Sequence, residues 1–140
     1  MNAAIGAGDE VNFAYHLDKT TYRTYHKEAD TVKPGAASLW VMIDEHPDSI
    51  NDGAFAVTMP SSAAATSWVD LPTKYHGNAC GFSFADGHSE IHKWRNPDVI
   101  PNVTFSTKDP NATIFSLHND DVLWVARHTT ARLDGTDLPY

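Results

Sequence analysis

Histidine and carboxylate side chains gather at two places in this 140-residue chain, and each group has the composition of a metal site. One is the segment Asp44-Glu45-His46-Pro47-Asp48-Ser49-Ile50-Asn51-Asp52-Gly53. Calcium takes six to eight oxygen ligands at about 2.3–2.6 Å, and a loop is the geometry that can wrap them. Asp44, Glu45, His46, Asp48 and Asp52 are the candidate ligands there. Their spacing is not that of an EF-hand, and the same residues suit a solvated loop in which Asp and Asn serve turns. The other group is His76 and Asp86, the two ends of the run His76-Gly-Asn-Ala-Cys-Gly-Phe-Ser-Phe-Ala-Asp86-Gly87. If Asp44 and Asp86, each at the end of a strand, came together beside His76, they would hold zinc or another divalent ion with an open position and activate a bound water. That is the chemistry of a small metal-dependent hydrolase of an ester, lactone or glycan, with His76 and Asp86 as its catalytic pair. Under the plainer alternative Asp86 fills a turn and His76 hydrogen-bonds a backbone carbonyl.

The element that must position His76 and Asp86 is a β-hairpin. Cys80, Phe82 and Phe84 alternate with Gly81, Ser83 and Ala85, and Asp86-Gly87 suits a tight two-residue turn with positive φ at both positions. The return strand reads His88-Ser-Glu90-Ile91-His92-Lys-Trp94. This register pairs Ala85 with His88, Ser83 with Glu90 and Gly81 with His92 on a wet face, leaving Phe82, Phe84 and Ile91 for the core. His88 and His92 then stand roughly 13 Å apart along the strand and cannot share an ion.

Elsewhere, Leu39-Trp-Val-Met-Ile43 is a continuous apolar run that predicts a central strand buried on both faces. Ala54–Met59 reads as a second strand, Trp68–Pro72 leads into the hairpin, and Val103–Ser106 and Thr113–Leu117 read as short edge strands. Asp120–Thr130 predicts a helix, with Val122, Val125 and Ala126 on one stripe and acidic residues at its start. Residues 1–30 are polar with scattered aromatics, Phe13, Tyr15, Tyr22 and Tyr25, and residues 133–140 read as a loose tail. The sum is a β-rich α+β domain built on an antiparallel meander with a short C-terminal helix, one domain by length.

Composition narrows the function. Eighteen acidic and ten basic residues give a formal net charge of −8, which excludes the basic footprint of a nucleic-acid binder and favours cations. Cys80 is the single cysteine, so no internal disulfide forms, and its place in the alternating apolar set predicts a buried small hydrophobe. No Gly-x-Ser-x-Gly occurs, so a serine triad is not expected at Ser83. His16, His26, His118 and His128 lack ligand spacing and read as surface residues, while Trp40, Trp68, Trp94 and Trp124 read as core. Asn102 and Asn111 match glycosylation acceptors, a pattern short enough to arise by composition. No apolar run reaches the roughly twenty residues of a membrane span, and residues 1–10 carry neither the charged start nor the apolar core of a signal peptide.

A His, nine residues and then Asp-Gly, closing on Trp94, resembles the signature of the prepilin-type H-X9-DG proteins, a group related to the pseudopilins of type II secretion. Met1-Asn2, Tyr22-Arg23, Leu39–Asp52, Ser83–Trp94 and Trp124–Thr130 carry the same resemblance, which covers most of the chain. It implies a pilin-like globular domain with a structural or assembly role, calcium as the resident ion, and an extracytoplasmic location in the periplasm or at the cell surface. Partners would be other pseudopilin or pilus subunits, or copies of the chain itself. Proteins of that group begin with a leader and a long apolar helix. This chain reads as the globular part alone, so an apolar sheet face should be covered by residues 1–30 or by a second copy.

Overall fold

The computed structural model describes residues 1–6, 18, 20–106, 114–115 and 117–140. Expectations for Phe13, Tyr15, His16 and Asn111 fall outside them. The protein is a small α+β domain. Its regular elements are β1 (Trp40–Ile43), β2 (Ser67–Trp68), β3 (Ala79–Phe84), β4 (Ser89–Lys93), β5 (Ile114–Phe115) and one helix, α1 (Asp120–Thr129). β1, β3 and β4 form an antiparallel sheet in the order β1-β3-β4, and β2 pairs antiparallel with β5. Among the described residues no helix is long and apolar enough to cross a membrane.

The hairpin forms where the alternation places it, but one residue out of the expected register. Cys80 pairs with His92, Phe82 with Glu90 and Ser83 with Ser89. The loop has three residues, Ala85-Asp86-Gly87: Gly87 N–H donates to Phe84 O (3.0 Å) and Phe84 N–H to His88 O (2.9 Å). A two-residue turn of the expected type needs positive φ at both positions, and here only Gly87 has it, at 92°. Because strand side chains alternate, a slip of one residue exchanges the faces. Ile91 is 60% exposed, and His92 takes the inward place expected for it.

β1 is also not the central strand. It lies at the end of the sheet, with Asn2 N–H donating to Val41 O on its far side. Its register shifts between Trp40 and Met42. That bulge is why two residues of one apolar run part company: Trp40 faces the core opposite Phe84, whereas Met42, opposite Ser83, is 56% exposed. Ala54–Met59 and Val103–Ser106 form no strands, though Phe55 makes a single bridge with Asn2.

α1 covers the inner face of the sheet. Asn119 caps it, its side-chain oxygen accepting from Asp121 N and Val122 N, and Val122, Val125 and Ala126 are buried. Phe82 is the hub of the core, with edge-on contacts to Trp40, Trp94 and Trp124 at ring centroids of 6.2, 6.1 and 5.1 Å. Such pairs add about 0.5–1.5 kcal/mol each beyond the area they bury. Trp40, Trp68 and Trp94 are fully within the core and Trp124 half-buried. Asn2 fastens the layers: its amide donates to Trp40 O (2.8 Å) and to Thr129 O (3.1 Å) at the end of α1. The C-terminal residues are not loose as a whole, since Tyr140 packs on the core and Arg127 lies over its ring.

Candidate functional site

Antiparallel pairing decides which strand ends meet. β1 ends at Asp44 beside the start of β3, where Gly81 N–H donates to Asp44 Oδ2 (3.2 Å), and His76 approaches from the turn before β3. Asp44 Oδ2 and His76 Nε2 stand 3.4 Å apart, both side chains about half exposed. Asp86 lies at the other end of β3, a strand that spans roughly 17 Å. There its Oδ1 accepts from His88 N–H (3.1 Å) and meets His88 Nδ1 at 2.6 Å. The His88 hydrogen bonds hold the Asp86 carboxyl below its usual range. Of the three expected neighbours the fold joins Asp44 and His76, and it leaves Asp86 as a turn residue.

The side chains of the acidic loop are taken up by separate tasks rather than by one shared centre. His46 is buried, with Nδ1 accepting from Asp48 N–H (3.2 Å), which leaves Nε2 to donate to Pro101 O (3.2 Å). Both ring nitrogens are thereby occupied. Asp48 Oδ2 accepts from Thr104 N and Oγ1, each at 2.8 Å. Burial works to raise its carboxyl, but the Thr104 bonds outweigh it and hold the group low. Asp52 Oδ1 caps Ala54 N–H (2.7 Å) in a local turn. Among the described residues no group of three or more His, Cys, Asp and Glu side chains is placed to hold a metal ion.

Glu45 turns inward instead. Burial, and then the charge of Asp70, push its carboxyl up to about 7, and its Oε1 is enclosed without a hydrogen-bond partner. Asp70 is 4% exposed and burial raises it to about 6, against the hydrogen bond it accepts from Ala56 N–H. Asp70 is absent from the residues expected to carry chemistry. Its signal was an acid set inside the apolar run Trp68-Val-Asp-Leu.

His88 just before β4, His92 within it and His128 in α1 each present a ring face to an aromatic neighbour. His88 stacks on Phe84 (centroids 4.3 Å, planes 4° apart), and His92 and His128 both stack on Trp124 (3.8 and 4.2 Å). His128 is therefore half-buried, not a free surface residue, and burial lowers its pKa. Cys80 is buried, its thiol pushed by burial up to about 11, which makes it an inert core group.

On the opposite face of the sheet, Met42 and Ile91 border a groove of about 470 Å³ floored by Gly81, Ser83 and Ser89, with Asp44 at one end. No protein-family model, curated protein or solved structure matches the chain, so the resemblance to the H-X9-DG group rests on the residues quoted for it.

Proposed function

We propose that this chain is a pseudopilin-like assembly module of a type II secretion or pilus-like system, working outside the cytoplasm through contact surfaces rather than turnover. The observation that carries the reading is the outer sheet face, where Met42 and Ile91 stay more than half exposed over a floor of small residues. The solvated face of an antiparallel sheet is ordinarily polar, and apolar groups lining a groove mark a surface that takes a partner. The hydrolase reading keeps one supporting contact, Asp44 with His76 at the end of that groove. Its support is thinner, because a catalytic zinc needs three protein ligands and Asp86 is a strand-length away. Elemental analysis of the purified protein, followed by an ester, lactone and glycan hydrolysis screen with and without chelator, tests the assignment. Turnover at buffer background, with calcium as the ion if one is bound, is the expected result. Chelator-sensitive hydrolysis would overturn it.

A further inference from the structure

Among the described residues the sheet has one open edge. β4 pairs with β3 on one side and, among the described residues, with no strand on the other. Phe84 N–H donates to His88 O and Trp94 N–H to Asn78 O, so by alternation Glu90 and His92 also spend their backbone groups on β3. The N–H and C=O groups of Ser89, Ile91 and Lys93 point outward. Protein edges are commonly blunted by proline, bulges or inward-pointing charges. β4 has no proline, no glycine and no register shift, and its one lysine is its last residue.

We propose that β4 is a self-pairing edge through which two copies of the chain join, antiparallel about a two-fold axis at Ile91, into one continuous six-stranded sheet. The sequence of the strand fits this operation. An antiparallel two-fold at Ile91 sets Ile91 against Ile91, Ser89 against Lys93 and Glu90 against His92 of the second copy. Every outward-facing backbone group then meets an outward-facing counterpart, because Ser89, Ile91 and Lys93 are the residues that the axis pairs with one another. On the groove side the exposed Ile91 side chains cover each other. On the α1 side Glu90 comes opposite His92, so no two like charges face each other across the axis. A slip of one residue would set outward-facing groups against groups already spent on β3, and a slip of two would break the Ile91 contact.

The proposal rests on the reading that the domain works by surface contact, and its test is separate from the metal and hydrolysis measurements. Sedimentation of the whole chain from about 10 μM to about 1 mM, a range suited to a small interface, should show the mass rising from 15.4 kDa towards twice that value. The amide protons of Ser89, Ile91 and Lys93 should gain exchange protection over the same range, while those of Glu90 and His92 are protected throughout. Ile91→Pro removes an outward N–H that β3 does not use, and Ile91→Lys sets like charges on the axis. Both should remain monomeric across the range, with near-ultraviolet dichroism of the aromatic core unchanged. A monomer at the highest concentration, a dimer whose β4 amides gain no protection, or a dimer that survives both substitutions would overturn the pairing. Chelator-sensitive hydrolysis would instead overturn the assembly reading, whatever the mass.

Discussion

The imidazole of His92 lies flat on the indole of Trp124, 3.8 Å between centroids, with Nε2 4.0 Å from Asp121 Oδ1. That nitrogen is enclosed and has no hydrogen-bond partner, so the ring contributes as a flat aromatic surface more than as a polar group. His92→Phe keeps the stack and removes the unpaired nitrogen, and should change stability by less than about 1 kcal/mol in either direction. His92→Ala should cost about 1–3 kcal/mol and Trp124→Ala about 2–4 kcal/mol, the latter removing the contact with Phe82 as well. Urea unfolding of the three variants checks the order.

Asp121, 3% exposed, joins α1 to the end of β4: Oδ1 accepts from Arg95 N–H (3.0 Å) and Oδ2 from Asn96 N–H (2.8 Å). Burial works to raise its carboxyl, but the adjacent His92 ring and those two amides outweigh it and hold the group low. A depressed acid stabilises the fold above its unfolded value, about 3.9, and loses that contribution as pH falls through the folded value. Asp121→Asn should therefore cost about 2–3 kcal/mol at pH 7, and the difference from the parent should shrink steadily below about pH 4. Paired thermal melts from pH 7 to pH 3 measure it.

Glu45 and Asp70 have the opposite sign. Their folded values, about 7 and about 6, lie above the usual carboxylate range, so the fold binds more protons than the unfolded chain between about pH 4 and pH 7. Their contribution is present below about pH 4 and is lost as pH rises through 6 and 7. Glu45→Gln should flatten that decline and leave the variant more stable than the parent at pH 8, by on the order of 1 kcal/mol. The crossing of the two melting-temperature curves between pH 5 and pH 8 is the readout, and parallel curves would refute it.

Two glycines of the hairpin should answer differently to alanine. At Gly87 the backbone is left-handed, and Gly87→Ala should cost about 1–2 kcal/mol. At Gly81 a Cβ would come within 2.7 Å of Asp44 Oδ2, the mobile end of a half-exposed side chain that can turn into water. Gly81→Ala should cost less than about 1 kcal/mol while breaking the Asp44–His76 contact, visible as a change in the His76 ring resonances.

Hairpin, helix and tryptophan core were legible because each repeats a short-range pattern: period two in Cys80–Phe84, a helical stripe in Val122–Ala126, bulk at Trp40, Trp68 and Trp94. The register was not. Asp-Gly serves a two-residue turn and also the last two places of a three-residue loop, and the local sequence contains nothing to separate them. What favours the longer loop is distant: His92 gains Trp124, thirty-two positions on, and no alternation rule anticipates a histidine on the core side. The Asp44–His76 meeting follows from which ends of an antiparallel pair are adjacent, a property of topology. Asp86 was misplaced for the same reason.

His88, His92 and His128 each present a ring face to an aromatic neighbour, and that choice bears on which substitutions the flank of the domain can take. A flat ring buries area on the face it stacks against, so a similar aromatic side chain can take each of these places. The flank of the domain is thus held by the shape of its rings rather than by their polarity.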